Sequence, residues 1–153
     1  MSENLPQTIY NVLTAIRGAD DLRPLLNIGY ALVKANGGKL TILVVRLSAE
    51  TPPEWLKIPG GLRDIPIETK IAQSESTARV ILREARRLNP NLLLLGWRGD
   101  SPRRGYLLGS TLDHVIQQVT CNLAVVRADP TWPDESFGSL GISGDTTRYS
   151  GVA

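Results

Sequence analysis

The stretch NLLLLGWRGDSPRRGYLLGST, from Asn91 to Thr111, contains the features that decide the fold. Its four consecutive leucines form a continuous apolar run, which is typical of a strand buried on both faces of a parallel sheet. A glycine-rich basic segment follows, and a helical pattern with Leu112, Val115 and Ile116 on one side begins after it. A buried strand, a loop and a helix in this order make one unit of an alternating α/β chain.

The rest of the chain repeats this alternation. Apolar or β-branched runs predict further strands at residues 8–16, 39–47, 65–72 and 122–128, and amphipathic patterns predict two more helices. Pro66 cannot donate to a ladder, which places the third strand at an edge. With right-handed crossovers, we predict an α/β fold with a doubly wound, five-stranded parallel sheet of order 3-2-1-4-5 and helices on both faces.

Turn and cap residues mark the ends of the first two helices. For the first helix, the pattern predicts Asp20 and Asp21 as N-caps, Pro24 in the first turn, and a stop at Gly37 and Gly38. For the second, it predicts a cap at Ser74 or Ser76 and an end at Asn89 and Pro90. The proline- and glycine-rich connection at residues 48–64 predicts a loop with at most a helical turn near residues 54–57.

Length and composition indicate one domain. The chain has 153 residues, of which 42% are hydrophobic, and this suffices for a single core. We predict a domain over residues 1–128 and a polar, largely unstructured tail over residues 129–153, which is rich in Gly, Ser, Thr, Asp and Pro. The 17 basic and 15 acidic residues nearly balance, which argues against nucleic acid as a partner.

The cellular setting follows from what the sequence lacks. Cys121 is the single cysteine, so one chain can form neither a disulfide framework nor a multi-cysteine metal site. The start of the sequence carries no signal-peptide pattern, and no apolar run approaches the length needed to span a bilayer. We therefore expect a cytoplasmic protein without direct membrane insertion.

The segment after the fourth strand has the spacing Gly96-x2-Gly99-x9-Gly109-Ser110. In the predicted topology Gly96 ends a central strand beside the end of the first strand, at the switch point where doubly wound sheets bind ligands. Backbone N–H groups at the start of the next helix favour anions, and Arg98 lies between these two points. The alternative is structural: Ser110-x-x-Asp113 resembles a capping box, and the glycines terminate the strand.

No catalytic set is visible in the sequence. His114 is the only histidine, and no nucleophile or group of metal ligands can be placed beside it. Cys121 opens a predicted strand, where a thiol usually packs. The arginines of the second helix, Arg83, Arg86 and Arg87, indicate a solvated face. We predict that the protein is not an enzyme, with slow hydrolysis of a bound ligand as an open alternative.

From Tyr10 to Arg127 the chain resembles the universal stress protein family. The resemblance is carried by NVLTAIRG, GGKLTILVV, NLLLLGWRG and LLGSTLDHVIQQVTCNLAVVR, and the glycine spacing matches that of the nucleotide-binding members without a gap. It implies an adenine nucleotide alpha hydrolase-like fold, a role in stress response, and ATP or AMP in the crevice, with Mg²⁺ alongside ATP. It also implies a homodimer formed through the last strand, from Asn122 to Ala128.

The resemblance assigns roles to individual residues. Gly96 and Gly99 would flank the ribose and phosphates, with Arg98 beside them, and Val45 and Ile16 would contact the adenine. The phosphates would be held by Gly109, Ser110 and Thr111.

Four departures from the family pattern bear on this assignment. Arg17 stands where nucleotide-binding members usually have an aspartate that contacts base or ribose, so an acceptor is replaced by a donor. Leu112 stands where a hydroxyl is common, Trp97 replaces a small residue and is expected to pack, and the short connection at residues 48–64 is expected to leave one face less covered.

The form LLLLGWRG also resembles domains attached to the cytoplasmic ends of bacterial amino-acid permeases and other transporters. Together with Arg17, this gives the alternative function: a non-nucleotide dimerisation or interaction module that regulates a membrane transporter, with a degenerate pocket.

Overall fold

A five-stranded parallel sheet of order β3-β2-β1-β4-β5 organises the computed structural model, which describes residues 9–46, 51–97 and 110–127. The strands are β1 Asn11–Ala15, β2 Lys39–Arg46, β3 Ile67–Gln73, β4 Leu92–Trp97 and β5 Leu123–Arg127. The helices are α1 Ala19–Asn36, α2 Thr77–Leu88 and α3 Ser110–Gln118, with a 3-10 turn at Gly60–Leu62. The predicted fold class and strand order are confirmed.

The register places the end of β1 between two longer strands. Ala15 pairs with Leu43 of β2 on one side and with Leu95 of β4 on the other. Strand β4 continues past β1, since Gly96 pairs with Val126 of β5. The chain order reverses between β1 and β4, so the carboxyl end of β1 beside Gly96 is the switch point of the sheet.

Helix α1 and the 51–65 connection cover one face of the sheet, and α2 and α3 cover the other. The core on the α1 side includes Val12, Leu25, Ile42 and Leu94. The core on the α2/α3 side includes Leu13, Ile81, Leu93 and Val115. Consecutive residues of the inner strands alternate between the two cores, which explains why β2 and β4 are apolar almost throughout.

The connection at residues 51–65 packs on the sheet instead of leaving it open. Leu62 and Ile65 are buried, and Trp55, Leu56 and Ile58 pack against the α1-side core. The expectation that the short connection leaves this face less covered is therefore wrong. Apolar side chains without any helical period cover the sheet here, with only a turn at residues 54–55 and the 3-10 turn as regular structure.

The start of α1 differs from the prediction. Its N-cap is Gly18, which makes no side-chain capping bond, so Asp20 and Asp21 lie inside the first turn and are not N-caps. Pro24 is buried and lies in the second turn, because the helix starts at Ala19. The predicted stop is confirmed by Gly37, which has a φ of 73° in the left-handed region that glycine favours.

The predicted ends of α2 are confirmed. The hydroxyl of Ser76 accepts a hydrogen bond from the Arg79 N–H at 3.4 Å, and Asn89 adopts the left-handed conformation with a φ of 48°. Pro66 lies just before edge strand β3, where its carbonyl accepts from the Leu40 N–H at 3.0 Å and no donor is needed from it.

Candidate functional site at the switch point

The switch point is formed by the chain that leaves β1 and by the end of β4. Ile16 extends the strand by one residue, with its N–H donating to the Leu43 carbonyl at 2.9 Å. Arg17 and Gly18 then turn the chain into α1. This short connection brings the first turn of α1 over Gly96.

Arg17 forms an ion pair with Asp21 at this point. Its Nε donates to Asp21 Oδ2 at 3.0 Å, so the pair joins the residue before the N-cap to the first turn of α1. The Arg17 side chain is 44% exposed, whereas that of Asp21 is 1% exposed. The guanidinium is therefore partly exposed to solvent, whereas the carboxylate that binds it is buried.

Asp21 packs directly against Gly96. A Cβ atom on Gly96 would lie 3.2 Å from Asp21 Oδ1, which is closer than most such contacts, and at an ordinary van der Waals distance of 3.5 Å from Leu25 Cδ1. Asp21 Oδ1 is buried and has no hydrogen-bond partner in the described part of the chain. The absence of a side chain at Gly96 thus accommodates a buried carboxylate, a role that differs from the predicted close approach of a ligand.

Asp21 is the residue that sequence reasoning missed. An acidic residue near a helix start usually caps the helix or complements its dipole, and this led to the prediction of a cap. The available signal was the four-residue spacing between Arg17 and Asp21 at a strand-to-helix junction, which permits an ion pair.

Ile16 and Val45, both predicted to contact the base, point to opposite sides of the sheet. The Ile16 side chain is 2% exposed and belongs to the α1-side core. Val45 is half-buried against the α2/α3-side core. The structure does not bring these two side chains together in one pocket.

The predicted phosphate end lies at the start of α3. The helix begins at Ser110, and Leu112 and Val115, which are 6% and 0% exposed, fix it on the sheet. Thr111 is half-buried in the first turn. Arg98, Gly99 and Gly109 lie outside the described residues, as does the predicted tail at residues 129–153. Leu112 is a core residue, which accounts for an apolar side chain where a hydroxyl was expected.

Trp97 packs as predicted. It is half-buried against the α2/α3-side core, and its indole Nε1 is buried without a hydrogen-bond partner in the described part of the chain.

The remaining candidates offer no catalytic set. His114 is exposed on α3. Cys121 packs against the α2/α3-side core, and burial raises the pKa of its thiol, which disfavours the thiolate. Within residues 9–46, 51–97 and 110–127, no three His, Cys, Asp or Glu side chains are grouped to hold a metal ion. No helix in the same ranges is long and apolar enough to cross a membrane.

The predicted solvated face of α2 is confirmed for its arginines, since Arg83, Arg86 and Arg87 are all exposed. Glu84 lies beside them at 8% exposure, and its carboxylate contacts Arg87 at 2.8 Å, Lys70 of β3 at 3.6 Å and Arg83 at 3.6 Å. This carboxylate links α2 to the edge strand.

The fold is that of a doubly wound α/β domain, and its switch point is the position at which sheets of this class bind ligands. Comparison with known proteins points to the universal stress proteins: the model of the universal stress protein family matches residues 62–127. No match was found among curated proteins.

Solved structures of universal stress proteins share the fold at low sequence identity. One in complex with cAMP aligns with a TM-score of 0.63 at 19% identity, covering 79% of this chain and 98% of that one. UspA from Lactobacillus plantarum aligns with a TM-score of 0.57 at 19% identity, covering 77% and 97%. A universal stress protein from Archaeoglobus fulgidus DSM 4304 aligns with a TM-score of 0.63 at 21% identity, covering 80% and 45%.

Proposed function

We propose that this chain is a universal stress protein-like regulatory domain that binds an adenine nucleotide, ATP or AMP, at the switch point. The motif Gly96-x2-Gly99-x9-Gly109-Ser110 would hold the phosphates, with Mg²⁺ alongside ATP. The observation that carries the proposal is the start of α3 at Ser110, in the unit that follows the central strand β4. The N–H groups of a helix N-terminus bind phosphate where the sheet topology places a ligand.

The comparisons support the same proposal. The family match spans the whole unit from β3 to β5, which includes Gly96 and Ser110. A protein with the same fold has been solved in complex with cAMP, an adenine nucleotide.

The first test is calorimetric titration of the protein with AMP, ATP and cAMP, using the variant Ser110→Asp. A carboxylate at the start of α3 repels phosphate, so we expect this variant to lose binding. Ser76→Asp is the matched control, because aspartate is as good an N-cap as serine and Ser76 caps a different helix. Equal affinity of the Ser110→Asp variant and the wild type would rule out this phosphate site.

We infer that the domain acts by binding and not by catalysis. Phosphoryl transfer depends mostly on positioning and on metal-ion electrostatics, so slow ATP hydrolysis can accompany binding without being the function. Phosphate release from ATP in the presence of Mg²⁺ should stay far below one turnover per minute, and a faster rate that Ser110→Asp removes would make the protein an ATPase.

We propose in addition that the chain forms a homodimer through β5. Strand β5 is an edge of the sheet, and no strand in the described part of the chain pairs with its outer side. Since the Leu93 N–H donates to the Asn122 carbonyl, the alternation of a parallel ladder directs the N–H of Leu123 outward. Leu123→Pro should therefore weaken the dimer while the monomer still folds, as measured by light scattering during gel filtration.

The second candidate function is a cytoplasmic interaction module that regulates a membrane transporter without binding a nucleotide. Arg17 favours it, because the Arg17–Asp21 pair occupies the end of the crevice where the resemblance places an acceptor for base or ribose. A protein that releases no nucleotide on denaturation, and whose melting temperature no nucleotide raises, would support this candidate over the first.

A further inference from the structure

Every residue that α2 exposes to solvent is an arginine. The exposed positions are Arg79, Arg83, Arg86 and Arg87, and all other residues of the helix are buried or half-buried. Since a helix rises about 1.5 Å per residue, these four side chains start within about 12 Å of one another along its axis. We call this surface the arginine face of α2. Solvated helix faces ordinarily mix both signs of charge, and the arginine face does not.

The arginine face is unfavourable for the helix itself. Arg83 lies four residues from both Arg79 and Arg87, and like charges at this spacing destabilise a helix. Arg79 also lies in the first turn, where the positive end of the helix dipole favours acidic residues and α2 has none. Only Arg86 and Arg87, in the last turn, complement the dipole. The stability of α2 therefore does not explain why Arg79 and Arg83 are arginines.

A single carboxylate of α2 draws three cations together. Glu84 Oε1 accepts hydrogen bonds from Arg87 Nε at 3.2 Å and from Arg87 Nη2 at 2.8 Å. The same carboxylate lies 3.6 Å from Arg83 Nε and 3.6 Å from Lys70 Nζ of the edge strand β3. Three positive charges thus surround one negative charge, which leaves a local excess of two.

Other acidic residues do not compensate this excess. Arg79 and Arg86 form no ion pair with any described residue, and Glu75 precedes the N-cap without pairing with them. Glu68 of β3 pairs instead with Lys39, at 3.2 Å. The sequence of α2 contains four arginines and one glutamate, a formal charge of +3, whereas the whole chain has +2. The positive charge is therefore concentrated on this helix, and the rest of the chain is negative by one.

We propose that the arginine face of α2 docks a short acidic segment of a partner protein. The argument is charge complementarity. An arginine fork binds a carboxylate through two parallel hydrogen bonds, and carboxylates placed between the arginines would offset the repulsion that the helix bears alone. This docking surface is independent of the proposed nucleotide site.

Two other anionic partners fit the surface less well. A helix that lies in a membrane surface buries an apolar face among the lipids, but the apolar residues of α2, such as Ile81 and Ala85, belong to the core of the domain. Nucleic acid binding depends on neutralising many phosphates, and a chain with a net charge of +2 has little excess charge for this beyond α2 itself. A short acidic segment matches a small, local cluster of arginines.

The test is titration of the full chain with a fluorescein-labelled peptide of about ten glutamates, which is long enough to span the arginine face. Fluorescence anisotropy measures the dissociation constant. Arg79→Glu/Arg86→Glu reverses two charges that form no ion pair with a described residue, and we expect it to weaken binding about ten-fold.

The matched control is Lys57→Glu/Arg63→Glu. It makes the same change in net charge at exposed residues of the 51–65 connection, on the opposite face of the sheet. Charges farther apart than the Debye length of about 8 Å are largely screened, so the control should bind the peptide nearly as the wild type does. Equal weakening by the two double variants would mean that only net charge matters, and the proposal would be wrong.

Urea unfolding separates docking from folding. Arg79→Glu places an acid in the first turn of α2, so the midpoint of Arg79→Glu/Arg86→Glu should not fall below that of the wild type. A lower midpoint would show that the arginines stabilise the helix, contrary to the premise of the proposal.

The remaining outcomes also overturn the proposal. One is a wild-type protein that does not bind the glutamate peptide. Another is tighter binding to phosphatidylcholine vesicles that contain phosphatidylserine, or to single-stranded DNA, with loss of that binding only in Arg79→Glu/Arg86→Glu. The arginine face would then recognise the phosphates of a membrane or of a nucleic acid instead of the carboxylates of a protein.

Discussion

At the scale of single residues, Gly96 shows how a glycine predicted to face a ligand also serves packing. Its Cα faces the buried Asp21 carboxylate, and a methyl group there would lie 3.2 Å from Oδ1. Since Asp21 is held by Arg17 and by its own helix, it has little freedom to retreat.

Gly96→Ala should therefore lower the free energy of unfolding by about 1–2 kcal/mol, the usual range for an extra methyl group in a packed site. Urea denaturation measures the change. Gly61→Ala is the matched control, because a Cβ at Gly61 meets no atom within 4 Å. A Gly96→Ala protein as stable as the Gly61→Ala protein would show that Asp21 moves freely.

The Arg17–Asp21 pair gives a second prediction at this scale. Arg17→Ala leaves a carboxylate that is 1% exposed without its partner, so we expect a loss of about 1–3 kcal/mol, the cost of a buried polar group left unsatisfied. In an Asp21→Asn background the same change should have a much smaller effect, because no buried charge is left unpaired. A double-mutant cycle by urea denaturation measures this coupling, and additive effects would contradict it.

At the scale of elements, the strands could be predicted and the 51–65 connection could not. Strands such as β2 and β4 are buried on both faces, and a continuous apolar run reports that environment directly. The apolar residues of the connection recur with neither helical nor strand periodicity, so the sequence does not predict which of them are buried. Leu62 is nevertheless as buried as the strand residues. Its packing depends on the tertiary position of α1 and β3.

Leu62→Ala should lower the free energy of unfolding by about 2–4 kcal/mol, since it removes a side chain that is 1% exposed. Leu56→Ala makes the same chemical change in the same connection at a half-buried position, so its effect should be smaller. Equal effects of the two changes would mean that the connection detaches from the sheet in solution.

The same connection is tied to α1 by a polar cluster of Tyr30, Lys34 and Asp64. Tyr30 Oη donates to Asp64 Oδ2 at 3.0 Å, and Lys34 Nζ donates to the same oxygen. The hydrogen bond from Lys34 is the main cause that holds the pKa of Asp64 below its ordinary value of 3.8. The same bond raises the pKa of Lys34 above 10.5.

A carboxyl group whose pKa is lower in the folded than in the unfolded protein stabilises the fold. This contribution is fully present above the pKa of the unfolded state and is lost as the pH falls through the pKa of the folded state. The difference in unfolding free energy between the wild type and Asp64→Asn should therefore be constant near neutral pH and shrink below pH 3.8. In a Lys34→Met background the difference should be smaller at every pH. If the difference in unfolding free energy between the wild type and Asp64→Asn grew on acidification, the pKa of Asp64 would not be lowered by folding.

At the scale of the whole molecule, the order of the sheet could be predicted because each strand and crossover leaves a local signal and handedness restricts the rest. The place of the switch point in the sheet could be predicted, but the pairing of side chains found there could not. The switch point follows from topology, whereas the pairing of Arg17 with a buried Asp21 depends on how the first turn of α1 sits over β4. The pattern of residues along the chain does not predict how a helix is oriented over a strand.

The last prediction concerns the boundary of the domain. Both cores are built from residues between Val12 and Val126, and β5 supplies Val125 and Val126 to opposite faces of the sheet. A chain ending at residue 128 should therefore unfold in one cooperative transition with the urea midpoint and the slope of the full chain, because the slope follows the surface exposed on unfolding. A chain ending at Gln118 lacks β5 and should fail to fold, which makes it the matched control. A lower midpoint for the 128-residue chain would show that residues 129–153 contribute to the stability of the folded domain.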